Sequence, residues 1–191
     1  MRRFNKEQKL FASQYIDNLL IKYNIKADIT QNGQAGRAMQ YEESCNPKIK
    51  IPRPITPFKF GTGLHEIGHI VLGHCVAKKG ILISKKPSYI EEYEAEQFAI
   101  KKLKELRFYT REYEIEAIRY VLENIAQAFN RKHNLNKVPK KIIKWTGLKI
   151  NTWKKSKKIF VPRGQNINSK KNIVIQFLFE GNNFYVNKLN R

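Results

Sequence analysis

Apolar positions near the start of the chain recur mostly four apart, at Phe4, Phe11, Tyr15, Leu19 and Tyr23. That spacing predicts an amphipathic helix over 5–23. Short alternating runs at 27–30, 37–41 and 48–51 read as strands, with turns at Gly33, Gly36 and Asn46-Pro47. Pro52, Pro54 and Pro57 then break any regular element, which suits an edge strand or loop running into a helix. The next helix is expected just after Gly61-Thr62-Gly63, ending near Leu72 and Gly73, with a turn at Lys78-Lys79-Gly80. Two longer helices follow over 88–106 and 112–131, and two short ones over 139–146 and 151–158. The tail alternates through 159–161 and 173–179, turns at Gly181-Asn182-Asn183 and returns through 184–186, the pattern of a β-hairpin. The mixture predicts an α+β fold, without internal repeats.

Hydrophobic residues make up 41% of 191, enough for a core, so wholesale disorder is not expected. No apolar run approaches the ~20 residues that span a bilayer, and MRRFNKEQKLFASQ lacks the apolar centre of a signal peptide. A cytoplasmic location without a membrane partner is the expectation. Two cysteines, Cys45 and Cys75, exclude a disulfide scaffold and read as reduced thiols. Charge changes the picture more. The net charge is +21, and residues 125–191 carry 16 Lys or Arg against one acid, Glu180. A bias toward Lys, Asn and Ile in the genome accounts for many lysines, but less readily for so few acids. The basic third therefore points to a polyanionic partner, nucleic acid first.

The sharpest chemistry is His65-Glu66-Ile67-Gly68-His69, which holds two of the chain's four histidines. Four residues apart on a helix, both imidazoles reach one ion, and zinc suits nitrogen and carboxylate donors around an open position. Glu66, beside that ion, is placed to take a proton from activated water. A third protein ligand is needed. His74 follows in HEIGHIVLGH, but Gly73 directly before it does not fit the long zinc-peptidase motif. A continuing helix would also carry His74 ~140° around from His69. Packing, an outer hydrogen bond or a substrate contact fits His74 better. The run Glu91-Glu92-Tyr93-Glu94-Ala95-Glu96 offers carboxylates on the next helix. Glu92 and Glu96 share a face, so one can bind zinc while the other accepts a hydrogen bond from a ligand imidazole. Ala95 and Ala99 would let the two helices approach closely.

GLHEIGHIVLGH followed by EEYEAEQFAIKKL resembles the ImmA/IrrE family of metallopeptidases over residues 5–135. The resemblance implies a zincin-like core: an N-terminal helix, a small sheet, the HExxH helix and a second ligand helix. It matches His65 and His69 to the zinc ligands, Glu66 to the general base and Glu92 to the third ligand. Glu96 stands where the family usually has Asn, and the family's Met-Pro after that helix is absent. Glu94 and Glu91 stay open as alternative ligands. Tyr89, Tyr93 and His74 are candidate oxyanion donors, and a strand edge near 49–53 is a candidate for backbone pairing with substrate.

Residues 139–158, PKKIIKWTGLKINTWKKSKK, resemble bacterial helix-turn-helix segments. In that reading Gly147 makes the turn, Leu148 and Ile150 seat it, and Lys154, Lys155, Lys157 and Lys158 meet phosphates. The hairpin follows where a winged helix carries its wing. The expected division is 1–110, the metallopeptidase domain, and 111–191, the basic winged-helix-like domain. The expected function is a zinc-dependent endopeptidase of limited specificity. Its substrate would be a regulatory DNA-binding protein, such as a transcriptional repressor, because members of that family often cut such proteins. The basic part would engage DNA or that substrate. The alternatives are a DNA-binding regulator, or a mobile-element counter-defence protein, with a structural or vestigial zinc site.

Overall fold

The computed structural model describes residues 3–30, 37–41, 47–74, 76–78, 81–82, 86–130, 138–150, 174–180 and 183–189. The chain divides into two compact units, Met1–Ala117 and Ile118–Arg191. Five helices and two small sheets make the described part an α+β protein. None of the described helices is long and apolar enough to cross a membrane.

In the first unit, α1 (Lys6–Lys22) opens on a reciprocal cap. Asn5 Oδ1 accepts from Gln8 N at 2.8 Å, and Gln8 Oε1 accepts from Asn5 N at 3.1 Å. Its buried face carries Ala12 and Ile16, whereas Phe11 stays 44% exposed. The most buried positions are thus one residue on from the expected Phe11 and Tyr15, whose rings still meet Phe108 and Phe60, and Ile16 lies 3.4 Å from the position a side chain on Gly63 would take. Gly63, without a side chain, leaves room for Ile16.

The sheet combines β1 (Lys26–Thr30), β2 (Arg37–Tyr41), β3 (Lys48–Pro52), β4 (Val76–Lys78) and β5 (Ile81–Leu82) in the order β1-β3-β2-β4-β5. β3 pairs parallel with β1 and antiparallel with β2. It is an interior strand, with Ile49 and Ile51 buried, so its backbone is not open to a substrate strand as the prolines suggested. Among the described strands, the outer positions of this sheet belong to β1 and β5.

α2 (Pro57–Val71) begins earlier than expected. Thr56 Oγ1 accepts from Lys59 N at 3.1 Å, and Pro57 occupies the first helical turn, where no amide hydrogen is needed. Gly61 and Gly63 are therefore packing glycines inside the helix rather than a turn before it. A methyl on Gly61 would sit 2.3 Å from the Tyr113 ring. α2 is buried along most of its length. It is followed by α3 (Ser88–Glu105), which crosses it where Gly68 faces Ala95 and Phe98. Phe4, Phe60 and Phe108 close the core beside α1, with Phe4 and Phe108 ring centroids 4.8 Å apart. The opening turns of α4 (Arg111–Asn130) complete this unit.

In the second unit, Val121, Leu122, Ile125, Ile142 and Leu148 are buried. α5 (Lys140–Thr146) ends at Gly147, whose φ of +66° favours glycine. A strand, β6 (Leu148–Ile150), stands where the turn leading into the recognition helix was expected. It pairs parallel with β8 (Asn183–Leu189), which pairs antiparallel with β7 (Val174–Glu180). The expected hairpin is thus β7 and β8, and it recruits 148–150 as a third strand. The expected helix over 151–158, with Lys154, Lys155, Lys157 and Lys158, lies outside the described residues.

Candidate metal centre

α2 presents His65 and His69 one turn apart, toward α3. Their Nε2 atoms lie 3.1 Å from each other. Glu92 Oε2, from α3, lies 3.2 Å from the first and 3.3 Å from the second. Three donor atoms thus form a nearly equilateral triangle. A tetrahedral zinc ion, with bonds of about 2.0–2.1 Å, requires donors about 3.3–3.4 Å apart. The geometry fits that requirement, and among the described residues His65, His69 and Glu92 form the group able to hold a metal ion. Neutral imidazoles offer one proton apiece, and the triangle needs both Nε2 atoms bare to receive a cation.

The next atoms outward hold those rings. His65 Nδ1 lies 3.1 Å from Glu96 Oε1. Tyr113 Oη donates to Glu96 Oε2 at 2.8 Å. Glu96 is buried although it is a carboxylate, and Tyr113 is buried beside it. On the other side His69 Nδ1 lies 3.2 Å from His74 Nδ1, and His74 Nε2 lies 3.2 Å from Glu94 Oε2. Lys86 Nζ donates to that same Glu94 oxygen at 2.7 Å.

Electrostatics follow the burial and these partners. For His65, burial opposes the charged form, but the carboxylates of Glu96 and Glu92 outweigh it and hold the ring well above the usual histidine range. Glu92 is also penalised by burial, yet its hydrogen bonds with His65 and His69 bring it down to about 2. Glu66, one residue after His65 and itself buried, is pushed up by burial, with the two histidines working in the other direction. Burial, then the neighbouring His69, lowers His74. Burial, then the Glu96 carboxylate, raises Tyr113 well above the ordinary phenol.

The structure therefore brings His65, His69 and Glu92 together and sets Glu96 behind His65. Glu94 turns to His74 and Lys86 instead of the donor triangle, and Glu91 is not part of the triangle either. His74 is placed by backbone geometry that the straight-helix projection did not foresee. Gly73 has φ +71°, Gly73 N donates to Ile70 O, and His74 N donates to His69 O at 2.7 Å. This reversal folds the residue back onto the last helical turn. Tyr113 was missed because it carries no motif of its own. The signal was Gly61, a glycine on a buried helix with no turn to make. Comparison of the chain with protein-family models, with curated proteins and with solved structures finds no match among them.

Proposed function

We propose that this chain is a zinc-dependent endopeptidase of limited specificity that cleaves a regulatory DNA-binding protein. The observation that carries the reading is the donor triangle of His65, His69 and Glu92, with a buried Glu66 adjoining it in the chain. An ion bound by that triangle supplies a Lewis acid that acidifies water and polarises a peptide carbonyl. Glu66 takes the proton of the attacking water as the carbon–oxygen bond forms. It passes that proton to the amide nitrogen as the carbon–nitrogen bond breaks, so the products leave as acid and amine. A base held in desolvated surroundings, with its pKa raised, is suited to both halves of that transfer. Glu96 and Tyr113 keep His65 oriented while this happens. The substrate class is supported by the resemblance to the ImmA/IrrE peptidases, and the surplus of basic residues over 125–191 supports engagement of DNA or of a protein bound to it.

The test is cleavage of candidate repressor proteins by wild type and Glu66→Gln. The variant is expected to lose at least about a hundredfold in rate while keeping its zinc. Cleavage at the wild-type rate would overturn the assigned base.

A further inference from the structure

The third histidine of HEIGHIVLGH is not absorbed by the triangle, yet among the described residues it is one of the most buried polar ones, at 3% exposure. We propose that His74 is a positioning residue that fixes the tautomer of the metal ligand His69, through a line of hydrogen bonds that runs on to Glu94 and Lys86. This rests on the metal site described above.

Proton placement follows outward from the ion. A His69 that binds metal through Nε2 must carry its proton on Nδ1. That atom faces His74 Nδ1 at 3.2 Å, so His74 must be bare there and must carry its own proton on Nε2. Glu94 Oε2 waits 3.2 Å from that Nε2 as an acceptor, and Lys86 holds the carboxylate at 2.7 Å. Each partner thus admits one proton arrangement, and the arrangement leaves His69 Nε2 open to the ion. Without an acceptor at His74, the buried Nδ1–H of His69 would lose its partner, and the opposite tautomer, with Nε2 blocked, would gain population. The backbone reversal at Gly73 delivers this acceptor from the ligand's own helix end. Glu92 and Glu94, two residues apart on α3, thereby serve different tasks: one completes the triangle, the other anchors the line behind it.

The experiment is zinc affinity of the full chain, by competition with a chromogenic chelator, together with the nitrogen NMR pattern of His69 in the zinc-loaded protein. His74→Leu, which keeps bulk but removes the acceptor, is expected to bind about ten- to a hundredfold more weakly. His74→Asn places its side-chain oxygen near the lost Nδ1 and is expected to recover affinity to within about threefold of wild type. His69 is expected to show the Nδ1–H tautomer in wild type. Wild-type affinity in His74→Leu, or an Asn variant no better than Leu, would overturn the positioning role while leaving the metal site standing. If His74→Leu fails to fold, Glu94→Ala carries the test. Its side chain is partly exposed, several-fold weaker binding is expected, and unchanged affinity would overturn the proposal. A wild-type chain that takes up no zinc would remove the site and the positioning role together.

Discussion

The Tyr113 ring packs against Gly61, and its hydroxyl donates a hydrogen bond to Glu96 Oε2. Two residues distant in sequence thereby decide how His65 is held. Gly61→Ala would drive a methyl into the ring, with 2.3 Å to Tyr113 Cε2, where nothing but displacement of a buried side chain relieves it. It is expected to cost about 1–3 kcal/mol, read as a lower thermal midpoint, and an unchanged midpoint would contradict the packing role. Tyr113→Phe keeps the ring and removes one donor from a buried carboxylate. About 1–3 kcal/mol is expected to be lost from stability.

The metal-free site also makes a signed pH prediction. Glu92 is lowered to about 2, so its contribution is fully present above about 4.5, its ordinary value, and is lost as pH falls toward 2. His65 is raised, so its contribution is fully present below about 6.5 and is lost as pH rises through the higher folded value. The pair therefore stabilises the metal-free protein most between about pH 4.5 and 6.5, which denaturant midpoints across pH 3–9 would reveal. Zinc bound by the proposed triangle would have to displace the His65 proton, so its affinity is expected to rise with pH. Affinity that fell between pH 6 and 8 would contradict the ligand assignment.

At the scale of elements, α2 and α3 are held at a distance set by small residues. A side chain on Gly68 would lie 3.1 Å from Phe98 Cδ1 and 3.3 Å from the Ala95 carbonyl, and Ala95 and Ala99 are fully buried. The alanines on 88–106 foretold that close approach. Gly68→Val should push α3 outward, lower stability and weaken zinc binding together, because Glu92 moves with α3. Zinc affinity equal to wild type would argue that the spacing does not matter. The periodicity of 88–106 and 112–131 made α3 and α4 legible within a residue or so, since long helices with clear spacing depend little on distant partners. The start of α2 was less legible. Three prolines and two glycines read locally as a break, while the fold uses Pro57 as a helix start and the glycines as contact points. An outer hydrogen bond was among the roles expected for His74, and it is met at His69 Nδ1, but the route was not legible, as a positive φ at Gly73 cancels any helical projection beyond it. The interior place of β3 was hidden because strand order is decided by pairing with distant segments.

For the molecule as a whole, charge and chemistry separate along the chain. The donor triangle belongs to the unit Met1–Ala117, while the surplus of basic residues lies over 125–191. The histidine spacing and the glutamate run made the grouping of His65, His69 and Glu92 legible, because α2 and α3 are each continuous segments. The basic part was legible only as composition, and its expected two-helix motif meets a strand at Leu148–Ile150. If this part engages DNA, duplex affinity should fall steeply with salt. Replacing Lys154, Lys155, Lys157 and Lys158 by Ala should then flatten that dependence by roughly 0.9 in logarithmic slope for each phosphate no longer neutralised. An unchanged slope would assign the charge to another role. The claim on which the rest depends is that His65, His69 and Glu92 hold zinc. Elemental analysis of the purified chain beside Glu92→Ala and Glu91→Ala tests it most directly. One zinc per chain in wild type and Glu91→Ala, with a sharp loss in Glu92→Ala, is the predicted result. Full zinc in Glu92→Ala, or none in wild type after zinc is supplied, would contradict it.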